Sequence, residues 1–438
     1  MTVLLLVVLG IFVLMILRVP VAFAFGIGAM AMMYFYDLGS DWVMIQSISL
    51  VTSFPLLAIP LYVFLGQLME VSGLVMRIID FSDVLLRRVK GGLGYAVILG
   101  NGIFGAISGS AGAALVTFGT IVFPKMKMQG YREGYSVALI ASSAMLSLFI
   151  PPSMDMIMFG FMARLNIAAC FLATVGPGLL LMLLYSAINF FITRNMPLVE
   201  MPKQSLQKTM KDVWFQGKRA FFVVVVIPVI ILGGIYGGIF TPTEAAAASV
   251  VVAIVVAVLV HRSLTWKGLR KAMLEAAYLT GMIIAVLFFL FVFGRALLWE
   301  NIVQGLIAFF TAASESIYVQ LLMLNFVLIL MGMIIDDNSA CILAGILLVP
   351  VMSRLGVNPY HLAGIVMANL GLGLLTPPVA PLLYAVAGVT GVPLKVYLRH
   401  SVIFMLFANI PVIILTTYIP QVATYLPNLV FGTGLGTW

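Results

Sequence analysis

"LFIPPS" at residues 148–153 and "LLTPPV" at residues 374–379 set tandem prolines inside long apolar stretches, the second pair 226 positions after the first. Proline inside a helix removes a backbone hydrogen bond and clashes with the preceding turn, so each pair predicts a broken helix. At the same offset and without gaps, Gly130 falls on Gly356, Met126 on Met352, Pro124 on Pro350, Gly119 on Gly345 and Ala114 on Ala340. Leu146 and Leu148 fall on Leu372 and Leu374, and Ser110 falls on Asp336. Leu and Ala coincide easily by chance in such a composition; spaced Pro and Gly do not. The chain reads as an internal repeat. Upstream, Gly66-Gln67 resembles Gly294-Arg295, but only at a shifted offset.

The breaks sit in a chain that is 63% hydrophobic and 9% charged, where a soluble domain carries roughly a quarter charged residues. Runs such as Val3 to Leu17, Val223 to Ile235 and Ser401 to Tyr418 reach, with their neighbours, across an apolar layer of about 30 Å. This predicts an all-α polytopic membrane protein. The start, MTVLLLVVLG, has no basic region before its apolar run and no small-residue cleavage site, so a retained helix is expected. The net charge of +8 fits the positive-inside bias of membrane proteins better than nucleic-acid binding. Cys170 and Cys341 lie in separate apolar segments and read as buried thiols. His261, His361 and His400 lack metal-ligand spacing, and no GxxxxGK[ST] loop is present, which argues against transition-metal chemistry and ATP-driven transport by this chain alone.

Twenty of the 23 Lys and Arg fall in clusters: Arg18, Arg77 to Lys90, Lys125 to Arg132, Arg194 to Arg219, Arg262 to Lys271, and Lys395 with Arg399. Placed on the cytoplasmic side, they set a path. Residues 91–124 leave a basic cluster and return to one, a hairpin turning at "ISGSAG" (107–112). Residues 319–350 leave from the outside and return there, a hairpin turning at Asp336 to Ser339. Asp37 to Asp41, Thr241 to Glu244 and Glu300 to Glu315 carry acids without bases and fall outside, as do both termini. Hairpins opening to opposite sides, related by a repeat, describe an inverted-topology repeat of the secondary-transporter kind, with a site near the midplane. Broken helices there free carbonyls for a cation and amides for an anion; simple kinks are the plainer alternative.

"FGAISGSAGAA" (104–114), "FIPPS" (149–153), "YGGIFTPTEAAAA" (236–248), "GMIID" (332–336) and "GLLTPPV" (373–379) resemble, in order over nearly the whole chain, one family. It is the large, DctM-like membrane subunit of tripartite ATP-independent periplasmic (TRAP) transporters. The resemblance implies sodium-coupled import of small organic acids by an elevator mechanism in the bacterial inner membrane. It also implies a separate small membrane subunit of about four helices and a periplasmic substrate-binding protein, with sodium ions as the only cofactor and no enzymatic activity. Family sodium sites carry over to Ser108, Gly109, Ser110 and Pro151 in the first half, and to Asp336, Thr376 and Pro377 in the second. Cargo lies between them, near Ser110, Ser153, Asp155, Arg295, Asp336, Asn338 and Ser339. The sequence departs from the family at Ala111 (a second serine is common), at Asp337-Asn338-Ser339 (Pro-Thr-Ala) and at Ala380-Pro381 (Gly).

The moving body is expected over 91–193 and 316–390, and the scaffold over 1–90, 194–315 and 391–438. The stretches 75–90 and 262–276 have the helical spacing of interfacial arms. Several single residues stay open between two roles. A lone intramembrane Asp costs about 2.5–3.5 kcal/mol, so Asp336 requires a compensating partner, whether sodium, cargo or a proton. Asp155 reads equally as a site charge and as a carboxylate capping freed amides. Arg295 binds an acid cargo, or pairs with Glu300, or snorkels outward. Thr241-Pro242-Thr243-Glu244 reads as a capping box. The runner-up functions are a coupled anion carrier working without a binding protein, and a passive channel or assembly subunit without sodium dependence.

Overall fold

The computed structural model describes residues 2–17, 19–36, 45, 47–50, 52–86, 88–199, 206–299 and 301–432, and these form helices and no strands. Arg18, residues 37–41, Glu300 and residues 200–205 lie outside the described residues. Seven described helices are long and apolar enough to cross a membrane, or nine if each of two bent pairs counts as one span. Leu183, Phe191, Phe326 and Phe407 are each more than 60% exposed, while Asn101, Asn189, Asn369 and Ser147 are fully buried. Apolar side chains outside and amides inside suit a lipid solvent rather than water. The chain is a polytopic membrane protein.

The first segments are α1 (Thr2–Ile16), α2 (Val21–Phe35), α3 (Ala58–Val71) and α4 (Leu74–Leu86). Gly73, at φ +68°, turns the chain between α3 and α4, so the expected arm starts as its own helix. It packs against α5 (Gly92–Ser108). After α5 come α6 (Ala111–Met128), the broken span α7 (Glu133–Phe149) and α8 (Met154–Met162), and then α9 (Ile167–Thr193). The bend between α7 and α8 is 43°.

The middle holds α10 (Leu206–Phe221), α11 (Phe222–Tyr236), α12 (Pro242–Val260) and α13 (Trp266–Trp299). The Thr241 side chain accepts from the Glu244 amide while the Glu244 carboxylate accepts from the Thr241 amide, the capping box read in the sequence. The second arm expected within 262–276 does not stand alone. From Trp266 it runs unbroken into a helix of 34 residues: Gly268 and Gly281 stay helical there, and neither takes the left-handed conformation by which Gly73 turns the chain after α3.

The second half contains α14 (Ile302–Ala313), α15 (Ile317–Ile334), α16 (Asp337–Arg354), α17 (Pro359–Leu375), α18 (Pro381–Thr390) and α19 (Leu394–Tyr418). A further helix, α20 (Gln421–Phe431), packs against α9 and α17. α15 lies along α17 much as α5 lies along α7, and α8 packs on α16, so the two halves meet where α7 and α17 break.

Candidate functional site

Two hairpin tips and two helix breaks form the candidate site. At the first tip Gly109 ends α5 at φ +59°, a left-handed conformation that glycine adopts without steric cost. Ser110 then caps α6, its hydroxyl accepting from the Ala113 amide at 3.4 Å. A Cβ on Gly109 would stand 2.5 Å from the Pro152 carbonyl oxygen, so the tip lies directly on the first break. Ser153 restarts the chain as the cap of α8, accepting from the Met156 amide at 3.4 Å.

The second tip repeats this pattern at the corresponding position. Asp336 caps α16, accepting from the Ser339 amide at 3.1 Å and from its hydroxyl at 2.6 Å. Ser110 to Ala113 and Asp336 to Ser339 are the same N-cap bond, 226 residues apart. The compensation Asp336 requires begins here, in two donors at the end of a helix. Thr376, at the second break, donates its hydroxyl to the Leu372 carbonyl at 2.7 Å. Both Pro–Pro peptide bonds are cis. Ala380, where the family favours Gly, holds φ +38°.

The tip helices are held by polar clamps that sequence reasoning missed. Asn101 on α5 donates to the Ser143 hydroxyl at 2.8 Å, and the Ser147 hydroxyl donates to the Asn101 carbonyl at 3.2 Å. In the second half Asn369 donates to Asn325 at 2.8 Å, and Thr417 donates to the same Asn325 oxygen at 3.1 Å. Ser143 and Asn369 are themselves 226 apart, as are Ser147 and Gly373. Beside Ser147 and Gly373 the facing helices come close, at Gly105 and Gly332. The repeat offset, extended upstream of the proline pairs, was the signal that could have found them.

Several buried oxygens lack a hydrogen-bond partner among the described residues: the Ser108 hydroxyl, the Asn101 and Asn369 side-chain carbonyls, and both carboxylate oxygens of Asp155. Hydroxyl and carbonyl oxygens are the donors a hard cation takes, so the residues around the first tip fit a sodium ion. Asp155 is 1% exposed and lies within Coulombic reach of Asp337 and Asp336. The structure thus brings Asp155, Asp336, Asn338 and Ser339 together at the packing of α8 on α16. Arg295 stands elsewhere on the site's flank, its guanidinium 5.0 Å from the Phe291 ring centroid. The preceding Gly294 packs against the Ile346 side chain of α16.

Paired tips and breaks inside a lipid-facing helical shell define a membrane permease of the secondary-transporter class. The family model of the tripartite ATP-independent periplasmic transporter, DctM component, matches residues 8–422, and the chain belongs to that family. The C4-dicarboxylate TRAP transporter large permease protein DctM of Pseudomonas aeruginosa is 32% identical over 375 residues, 86% of each chain. The sialic acid TRAP transporter large permease protein SiaM of Vibrio cholerae is 31% identical over 416 residues, 95% of this chain and 96% of the relative. These relatives are permeases, not enzymes. The crystal structure of the YdaH transporter of Alcanivorax borkumensis covers 91% of both chains with a TM-score of 0.64 at 15% identity, a likeness of fold alone.

Proposed function

We propose that the chain is the large membrane subunit of a sodium-coupled importer of a small organic acid, a carboxylate or a sulfonate. A periplasmic substrate-binding protein delivers the acid, and the permease works with a small four-helix membrane subunit in the bacterial inner membrane. Both termini face the periplasm. Sodium is held at Ser108, Gly109, Ser110 and Pro151, and at Asp336, Thr376 and Pro377; cargo lies between, with Arg295 on its flank. The bodies 91–193 and 316–390 move together as an elevator against the remaining helices.

The observation that carries this reading is family membership over residues 8–422. The unpartnered Ser108 oxygen at the first tip supports a cation there. Uptake by proteoliposomes holding both membrane subunits tests it, across a panel of labelled carboxylates and sulfonates. Accumulation is expected only with an inward sodium gradient and the binding protein. Equal uptake without either contradicts the reading.

A further inference from the structure

Helix α20 is built the wrong way round for water. Its buried side holds Ala423, Thr424, Pro427 and the side-chain carbonyl of Asn428, and the Thr424 hydroxyl turns back to the Pro420 carbonyl at 2.9 Å. Its exposed side holds Tyr425 (63% exposed), Leu429 (68%), Val430 and Phe431, with Gln421 at the first position. From Ser401 to Trp438 the sequence has no Lys, Arg, Asp or Glu. A helix on an aqueous surface turns its polar side outward. In lipid the preference reverses, because a polar group finds partners only inside the protein.

The level at which α20 packs gives the same answer from geometry. A Cβ on Gly176 of α9 would collide with the Val422 carbonyl oxygen. One on Gly364 of α17 would stand 2.6 Å from the Ala423 Cβ, so α20 is seated on both glycines. Gly176 is the tenth residue of α9, about 13 Å along its axis at 1.5 Å per residue. With 27 residues, α9 is about 40 Å long, against an apolar layer of about 30 Å. Even with the whole excess of about 10 Å at this end, Gly176 lies inside the layer. The 11 residues of α20 are too few to cross it, and that length suits an interfacial or re-entrant segment.

We infer that α20 is a membrane-embedded helix whose Tyr425, Leu429 and Phe431 face lies against phospholipid acyl chains. The leaflet is the one reached by the end of α19 at Tyr418, opposite Lys395 and Arg399. Leu183, two turns along α9 from Gly176, is exposed and apolar too, so the face continues the lipid-facing shell. A soluble binding protein is the poorer occupant. It leaves between deliveries, which would return an apolar, uncharged face to water. The inference goes beyond the transport reading and stands whatever the cargo or the coupling ion.

The test is spin-label accessibility in the two-subunit membrane complex in phospholipid nanodiscs. Cys170 and Cys341 are buried, and the unsubstituted chain is the blank for their labelling. Single labels go on Tyr425→Cys and Leu429→Cys, with Leu183→Cys as the acyl-chain reference and Lys127→Cys as the aqueous one. Collision with molecular oxygen, which concentrates in lipid, is compared with collision with a neutral nickel chelate, which stays in water. Both α20 labels should give an oxygen-to-chelate ratio like that of Leu183→Cys and severalfold above that of Lys127→Cys. A ratio like that of Lys127→Cys at either position puts the face in water and overturns the inference. Protection from both reagents overturns it too, since the small subunit, the binding protein or a second copy of the chain then covers the face. Both labelled positions are exposed and each reads alone, so one variant that fails to fold leaves the other to decide.

Discussion

Gly109 and the Pro152 carbonyl oxygen occupy each other's space: a Cβ on the glycine would lie 2.5 Å from that oxygen. The first hairpin tip therefore closes onto the first helix break through backbone, with no side chain between. Gly109→Ala would impose a left-handed conformation on alanine at φ +59° and push the break away. We expect a loss of about 2–4 kcal/mol and of most transport, read as a lower melting temperature in detergent and a lower uptake rate.

Asp336 caps α16 and is proposed to meet the cation, two roles that substitution can separate. Asp336→Asn keeps an oxygen able to accept from the Ser339 amide but loses the charge, so transport should stop or uncouple from sodium while the protein still folds. Asp336→Ala also loses the cap, with an added cost of about 0.5–2 kcal/mol. Asp337→Asn should keep sodium dependence. Sodium titrations of uptake for the three variants check this, and equal tolerance of Asp336→Asn and Asp337→Asn would remove Asp336 from the cation site.

The clamp in the second half predicts a structural cost. Asn325 accepts from both Asn369 and Thr417, so Asn325→Leu strands the Thr417 hydroxyl and one of the two Asn369 amide hydrogens, the other staying on the Ile365 carbonyl. At about 1–3 kcal/mol for each stranded group, the melting temperature should fall clearly. Asn369→Leu in an Asn325→Leu background should cost less than the sum, because the two share one bond. A double-mutant cycle on thermal stability reads this.

Thr241 is expected to matter for folding alone. Thr241→Ala removes the cap of α12 and should cost about 1 kcal/mol, with sodium-driven uptake per folded molecule unchanged.

Much of the site was legible because it is local. Tandem prolines break helices wherever they fall, and Ser110 and Asp336 cap their helices through residues three positions on. The repeat then paired each tip with a break. The approach of α8, which carries Asp155, to α16 was not legible, since periodicity carries no information on how helices dock across the two halves. The Asn101 and Asn325 clamps were hidden for another reason. Single amides in apolar helices look alike in sequence, and only tertiary packing tells a buried clamp from a surface residue. The arm expected within 262–276 illustrates a third limit: amphipathic spacing marks a surface face but not where a helix ends, and here it ends at Trp299.

The central claim is that these tip-and-break pairings couple cargo movement to sodium. Its most direct test is the initial uptake rate in proteoliposomes at fixed cargo and binding protein, with external sodium varied at constant ionic strength. The account predicts a rate that vanishes without sodium and rises more steeply than first order, as follows if each of the two proposed pairings takes an ion. A rate indifferent to sodium would contradict it.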